Sequence, residues 1–390
     1  MIETARRPVV LVLLGCFWPA NDSSGPNQSF ISLARALGDS FEFRVVARDG
    51  APGASGAGAD VDHWIDLGFA EARYRRIGRF GASGLAGLIA RTPHDVLWLN
   101  SMFDREFSLP ALALRRLGLI ARKPTLLSPR GEFGFGALDL KPGRKRLFLE
   151  TARRLDLWRG VTLHATSDAE AADITRGPAA SRPIVVAPNI RLVAETPAHA
   201  PSANEALRIA FVGRIVPVKQ LDFALDVLGK ARARIDFDIY GPAEDEAYWR
   251  RCRKLITALP QNVRATWRGE TANAEILEKM AKTDLFFLPT AGENFGHAIF
   301  EALACGVPVL ASDQTPWRGL AARNAGWDLP LATPETFVET IEAFAAMREE
   351  QRTTFRQGAR AVAQDYVERS GAVERNREML RALLREGGSR

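Results

Sequence analysis

Glu293 and Glu301 stand eight residues apart in the run AGENFGHAIFEALACGVPVLAS, two carboxylates set around the start of a helix. Asp284 to Pro289, DLFFLP, is a short apolar run closed by proline, which predicts a buried parallel strand. His297 to Cys305 follows with apolar residues at helical spacing, so Thr290 to Gly296 is a strand-to-helix turn. The backbone N–H groups of Asn294, Phe295 and Gly296 point out of such a helix start, where the helix dipole favours an anion such as a diphosphate. Glu293 lies just outside the helix and Glu301 about a turn and a half inside it, so both carboxylates reach one ligand lying over the N-terminus. Paired sugar hydroxyls explain a carboxylate beside a phosphate, since a carboxylate accepts two hydrogen bonds from a vicinal diol. The spacing suits a sugar nucleotide. Taken singly, each glutamate has a plainer reading, Glu293 as a helix cap and Glu301 as a solvated helix position. His297 stands at the helix start, within reach of the same ligand.

A second motif supports the first. Arg208 to Val212 reads as another buried strand, and Gly213 to Lys219, GRIVPVK, leads into a helix beginning near Gln220. This segment delivers two cations, Arg214 and Lys219, to the carboxyl edge of a parallel sheet, where open α/β sheets bind ligands. There they neutralise a diphosphate. Basic residues after a strand are commonplace, so the weight lies in two such turns on one sheet.

The elements that must position these residues alternate between buried strands and helices through both halves of the 390-residue chain, which is long enough for two cores. Strands are expected in the first half at Val9 to Leu14, Phe43 to Ala47, Asp95 to Leu99, Thr125 to Ser128, Val161 to Ala165 and Ile184 to Ala187. The second half offers Arg208 to Val212, Asp236 to Tyr240, Val263 to Trp267, Leu285 to Leu288 and Pro308 to Ala311. Between the sets, 191–205 is a Pro- and Ala-rich polar stretch that reads as a hinge linker.

The segments GRIVPVK, DLFFLPT and above all GENFGHAIFEALACGVPVLAS resemble the retaining glycosyltransferases of family 4, with their E-x7-E signature and following G-x-P-V strand. In the first half, LSPRGEFGFGALDLKPGRK and LHATSDAEAADI resemble the members that build bacterial lipopolysaccharide and exopolysaccharide. The resemblance covers essentially the whole chain. It implies the GT-B fold, an α/β architecture of two Rossmann-like doubly wound domains facing across a cleft. Residues 1–190 would form the acceptor-binding domain, completed by the C-terminal helix 371–390. Residues 206–370 would form the nucleotide-sugar donor-binding domain.

Carried over by residue, the resemblance implies that Glu293 holds hydroxyls of the donor sugar and Glu301 those of the ribose. Arg214 and Lys219 would contact the diphosphate, and amides of Asn294, Phe295 and Gly296 the sugar and distal phosphate. Gly25-Pro26-Asn27-Gln28 matches the loop that closes on the donor's phosphate side, giving Gly25 and Asn27 as further donor contacts. The chain departs from the pattern in two places. Its N-terminal loop has one glycine where many relatives have two, and Pro129-Arg130-Gly131 stands where many place a histidine beside the reaction centre. Arg130, helped by Glu132, is the candidate substitute; an ordinary loop arginine is the competing reading. The reaction implied is transfer of a hexose from a nucleotide diphosphate sugar to a saccharide or lipid-linked saccharide, with same-face attack and the departing phosphate accepting the acceptor's proton. Two readings from other classes stay open: a nucleotide-sugar epimerase or hydrolase on a related fold, and a binding protein that has lost catalysis.

Charge bears on the acceptor. Lysine plus arginine exceeds aspartate plus glutamate by 25 to 19 through Ile190, and the two balance afterwards, so the net charge of +6 belongs to the first half. Residues 114–159 hold the excess, with 12 basic residues against four acids, and interleaved Leu147, Phe148, Leu149, Leu155 and Trp158 suggest an amphipathic basic helix on an anionic membrane surface. A solvated cationic face is the alternative. No nucleic-acid module is present, so nucleic acid is not an expected partner.

Other features are discounted. Asp236-Phe237-Asp238 spells D-x-D, but it alternates along a predicted strand, and no His/Cys cluster has metal-ligand spacing, so neither metal nor cofactor is expected beyond the donor substrate. Arg6-Arg7 before VVLVLLGCFW imitates a short signal peptide, yet cleavage there removes the first strand. No apolar run is long enough to span a bilayer. Cys16, Cys252 and Cys305 form no disulfide pattern and fit a reduced cytosol. The expected location is cytoplasmic, at the inner face of the cell membrane.

Overall fold

The computed structural model describes residues 6–15, 17, 25–50, 63–75, 81–133, 149–177, 181–192 and 206–388. Two compact units emerge, Met1–Arg191 with Gly371–Arg390, and Leu192–Ser370.

Unit 1 is built in chain order from β1 (Val9–Leu14), α1 (Gly25–Leu37), β2 (Glu42–Arg48), β3 (Ile65–Asp66), β4 (Glu71–Arg75), α2 (Gly81–Arg91), β5 (Val96–Asn100), α3 (Ser108–Arg116), β6 (Thr125–Ser128), β7 (Val161–Ala165), α4 (Asp168–Thr175) and β8 (Ile184–Val186). Its sheet runs β3-β4-β2-β1-β5-β6-β7-β8, parallel throughout except where β3 meets β4. The central strand β1, VVLVLL, is buried at every position, as an interior parallel strand covered on both faces must be. Its alternate residues serve two cores. Val10, Val12 and Leu14 pack with Phe30 and Leu33 of α1 and with Met379 and Leu380 of the last helix. Leu11 and Leu13 pack on the other face with Leu85 of α2, Leu112 of α3 and Ile174 of α4.

Unit 2 contains β9 (Leu207–Val212), a 3-10 turn at Pro217–Lys219, α5 (Leu221–Leu228), β10 (Ile235–Tyr240), α6 (Glu246–Thr257), β11 (Val263–Gly269), α7 (Asn273–Met280), β12 (Leu285–Leu288), α8 (His297–Ala304), β13 (Val309–Ser312), β14 (Gly326–Leu329), α9 (Pro334–Ala345) and α10 (Glu349–Arg369). The final helix, α11 (Ala372–Gly388), belongs to unit 1. The six strands are all parallel, in the order β11-β10-β9-β12-β13-β14. Chain direction across the sheet therefore reverses between β9 and β12. Buried Asp284 fixes that junction by accepting from Arg208 through its backbone N at 3.0 Å, its Nε at 3.0 Å and its Nη2 at 2.8 Å.

Three strands, β3, β4 and β14, fall outside those read from the sequence. In β4, EARYR, only Ala72 and Tyr74 are buried and the charged residues alternate with them. Arg44 on the neighbouring strand bonds Glu71 at 2.8 Å, so cross-strand charge supplies what the apolar pattern lacks. Within the basic segment 114–159, the amphipathic helix read from Leu147, Phe148, Leu149, Leu155 and Trp158 is met in part and corrected in part. Residues 134–148 of it, with Leu147 and Phe148, lie outside the described residues. Of the rest, 149–154 are helical and 155–160 form a turn, with Trp158 buried and donating from Nε1 to Met102 Sδ at 3.0 Å.

Candidate functional site

The two motifs read from the sequence leave β9 and β12, the strands that flank the reversal of unit 2's sheet. In open α/β sheets the crevice beyond the carboxyl ends at such a point is where ligands bind. The turns are stitched together by backbone. Val218 O accepts from Ala291 N at 2.8 Å and from Thr290 Oγ1 at 3.0 Å. Thr290 and Ser312 are wholly buried, and Ser312 Oγ donates to Thr290 O, which ties in the end of β13. Lys219 Nζ pairs with Glu293 Oε2 across this seam, both side chains being about 15% exposed. The cation of one motif and the carboxylate of the other therefore occupy one place.

Helix α8 begins at His297, and its N-cap is Gly296 in the left-handed conformation, φ +81°, with no side-chain cap. A Cβ there would sit 3.0 Å from Ile299 Cδ1 and 3.2 Å from Glu293 Cγ, so glycine serves both the dihedral and the close packing. The first-turn amides have no partner within the helix, as geometry requires, and the dipole adds positive potential in front of them. Glu301, in the second turn, is buried rather than solvated, and Oε1 accepts from Asn273 Nδ2 at 3.3 Å. Its plainer reading as an exposed helix residue is thereby withdrawn.

Several supports of this turn escaped the sequence reading. Trp317 Nε1 donates to Phe295 O at 2.6 Å, and Phe295 packs on Trp317, Phe300, Tyr366 and His297 with centroids 4.8–6.2 Å apart. Gly241, after β10, has φ +133°, and a Cβ on it would lie 2.1 Å from Gly213 O. Only glycine lets the β10 exit pass against the Gly213-Arg214 backbone. Arg214 extends to solvent and pairs with Glu244 at 3.0 Å, with side chains 59% and 45% exposed. The D-x-D carboxylates are engaged elsewhere: Asp236 with Arg264 at 3.0 Å and Asp238 with Arg268 at 2.8 Å. Cys252 and Cys305 are buried, and burial pushes their thiols up to about 11 and about 12. Among the described residues, no group of three or more His, Cys, Asp or Glu side chains is placed to hold a metal.

In unit 1, Gly25 and Asn27 require a correction. The sequence placed them in a loop, but they form the first turn of α1, and Asn27 is completely buried. Arg130 stands at the carboxyl end of β6 with φ +58°, next to Ser101 after β5 with φ +69°. Left-handed backbone at two non-glycine residues costs on the order of 1–3 kcal/mol each and persists where surroundings over-determine it. Here they do. Arg130 donates from Nε and Nη2 to Asn100 Oδ1 at 3.1 and 2.9 Å and from Nη1 to Asn189 Oδ1 at 3.3 Å. Glu132 accepts from Ser101 Oγ at 2.6 Å and Met102 N at 2.5 Å, while Glu170 accepts from Gly131 N at 2.6 Å.

Beneath Arg130 lies a buried relay. The guanidinium sits 5.9 Å from the Trp98 ring centroid, and Trp98 Nε1 donates to Ser128 Oγ at 2.8 Å. Ser128 Oγ is 2.8 Å from His164 Nδ1, and His164 Nε2 is 2.8 Å from Ala187 O. A carbonyl only accepts, so the proton is on Nε2, and Nδ1 accepts from Ser128. Burial, reinforced by the Arg130 charge, lowers the His164 pKa to about 4, so the ring is neutral near pH 7.

Comparison with known proteins follows the same division. The family model "Glycosyl transferase 4-like domain" matches residues 24–190, and "Glycosyl transferases group 1" matches 194–362. A D-inositol 3-phosphate glycosyltransferase of Jonesia denitrificans is 29% identical over 205 residues, 47% of each chain, so the match spans about half the length of that relative. Sucrose-phosphate synthase from Thermosynechococcus elongatus superposes with a TM-score of 0.74 at 15% identity, covering 98% of this chain and 100% of that one. HepE from Anabaena, in complex with UDP and glucose, gives 0.69 at 17% identity, covering 96% and 100%. The fold is GT-B.

Proposed function

We propose that this chain, which joins a glycosyl transferase 4-like domain to a glycosyl transferase group 1 domain, transfers a hexose from a nucleotide diphosphate sugar to a saccharide or lipid-linked saccharide acceptor. The observation that carries the reading is the Lys219–Glu293 pair in front of α8, with Glu301 buried one turn further on. It supports a site that takes an anion and a polyol together. Glu293 holds sugar hydroxyls and Glu301 the ribose. Arg214, Lys219 and the amides of Asn294, Phe295 and Gly296 take up the charge that develops on the leaving diphosphate. His297, whose ring at the helix start lies 4.8 Å from that of Phe295 and is tilted to it, lines the same ligand.

The reaction proceeds with retention. Same-face attack is assisted by the departing phosphate, which accepts the acceptor's proton, and Arg130 is the residue offered for the role that many relatives give to a histidine. No step is assigned to a metal. The pathway is bacterial lipopolysaccharide or exopolysaccharide assembly, in the cytoplasm at the inner face of the cell membrane. The test is product formation from labelled UDP-, GDP- and ADP-hexoses, with and without a polyprenyl-diphosphate-linked saccharide. Transfer that requires the added saccharide supports the proposal. Sugar release or isomerisation without it favours a hydrolase or epimerase and overturns it.

A further inference from the structure

We propose that the amino-terminal edge of unit 1's sheet, where α3 ends and the turn before β7 begins, docks on an anionic phospholipid bilayer. A lipid phosphate enters the cavity of about 320 Å³ lined by Arg115, Arg116, Arg122, Arg159 and Gly160. This deepens the membrane-face reading above and rests on it.

Chain geometry makes the surface. Helix α3 closes with Leu119 N donating to Leu114 O at 2.9 Å and Gly118 N to Arg115 O at 3.2 Å, which turns Leu117 and Leu119 outward. Leu155 opens the facing turn. The two pieces are bound to each other by Arg115, which donates from Nη2 to Gly160 O at 2.8 Å and from Nη1 to Arg159 O, and by Arg116 Nε to Leu155 O at 3.0 Å. Leu117, Leu119 and Leu155 are 72%, 62% and 59% exposed, the highest values for large apolar side chains among the described residues. Single exposed leucines need no explanation, but here the three most exposed lie in one patch around a four-arginine cavity.

The nearby acids leave the positive field standing, since Asp156 pairs with Arg182 and Glu150 with Arg154 at 3.2 Å. Guanidinium forks match phosphate oxygens, and leucines at the same height enter the acyl boundary. Strand direction puts this patch opposite the carboxyl edge that carries Arg130, so docking leaves that edge uncovered.

The test is flotation of the full chain with phosphatidylcholine vesicles and with the same vesicles containing phosphatidylglycerol, without donor. Binding is expected only to the anionic vesicles, falling as salt rises. Arg122→Glu with Arg159→Glu, and separately Leu117→Ser with Leu155→Ser, should each weaken it at least roughly tenfold while melting temperature and acceptor-dependent transfer to a soluble saccharide persist. No binding to anionic vesicles overturns the inference, as does binding that both double variants retain. Inorganic phosphate raising the melting temperature while vesicles fail to bind identifies a free-anion site and also overturns it. Because no donor is present, failure of this surface and failure of the transferase reading are separate results.

Discussion

Lys219 and Glu293, 74 residues apart in the chain, meet side chain to side chain at the seam of two strand-to-helix turns. The contact has unequal consequences for substitution at the two cations of the site. Lys219→Met leaves a largely buried carboxylate without its cation, so a stability loss of about 1–3 kcal/mol should accompany the loss of activity. Arg214 pairs with Glu244 in the open, and Arg214→Ala should cost under about 1 kcal/mol in stability. Its turnover should nevertheless fall on the order of a hundredfold if Arg214 takes charge from the leaving group. Denaturant midpoints and kcat measured on both variants check this. Wild-type turnover in both refutes the assignment.

Gly241 carries a backbone prediction. With φ +133° and Gly213 O 2.1 Å from any Cβ, Gly241→Ala cannot be accommodated without moving the Gly213-Arg214 turn. The expected cost is several kcal/mol, above the usual range for a surface glycine. A melting temperature within experimental error of wild type contradicts it.

Trp317 isolates one hydrogen bond. Trp317→Phe keeps an aromatic ring beside Phe295 and Tyr366 but removes the donor to Phe295 O. Stability should drop by about 1 kcal/mol, and donor affinity should fall several-fold as the turn before α8 loosens. Calorimetric titration with nucleotide separates the two effects.

His164 makes unit 1 acid-sensitive. Its folded pKa, about 4, lies below the ordinary value of 6.5, so the unfolded chain binds the proton first as pH falls. The contribution is therefore complete above pH 6.5 and is lost as pH falls toward 4, by roughly 3 kcal/mol in all. His164→Gln should lose stability near neutral pH yet show a shallower decline between about pH 6.5 and about pH 4. Parallel slopes for wild type and variant exclude the histidine as the cause.

How far the sequence could be read depended on which interactions carried each element. Strands β1, β6, β7 and β12 were legible to the residue, β1 and β12 because their burial is continuous and apolar and β6 and β7 because an apolar pair or alternation marks a short strand. Strand β4 was not, since its place is held by Glu71 with Arg44 and by Tyr74, a pattern that resembles an exposed coil. Near the candidate site, the residues of E-x7-E were legible because helix start, spacing and residue type coincide. Thr290, Trp317, Tyr366 and Gly241 were not, because each acts through a neighbour distant in sequence. The Trp98–Ser128–His164 relay was hidden for the same reason: its members lie on three strands, and only pairing of β5, β6 and β7 brings them together.

Binding of a sugar nucleotide at the carboxyl edge of unit 2 is open to a thermal-shift panel. UDP, GDP and ADP, each with its glucose, galactose, mannose and N-acetylglucosamine conjugates, are compared on wild type and on Glu301→Ala. Stabilisation by one nucleotide family is expected, lost in the variant, with the sugar conjugate shifting wild type more than the bare nucleotide. No shift with any of them in folded wild type, or a shift that Glu301→Ala retains in full, contradicts it.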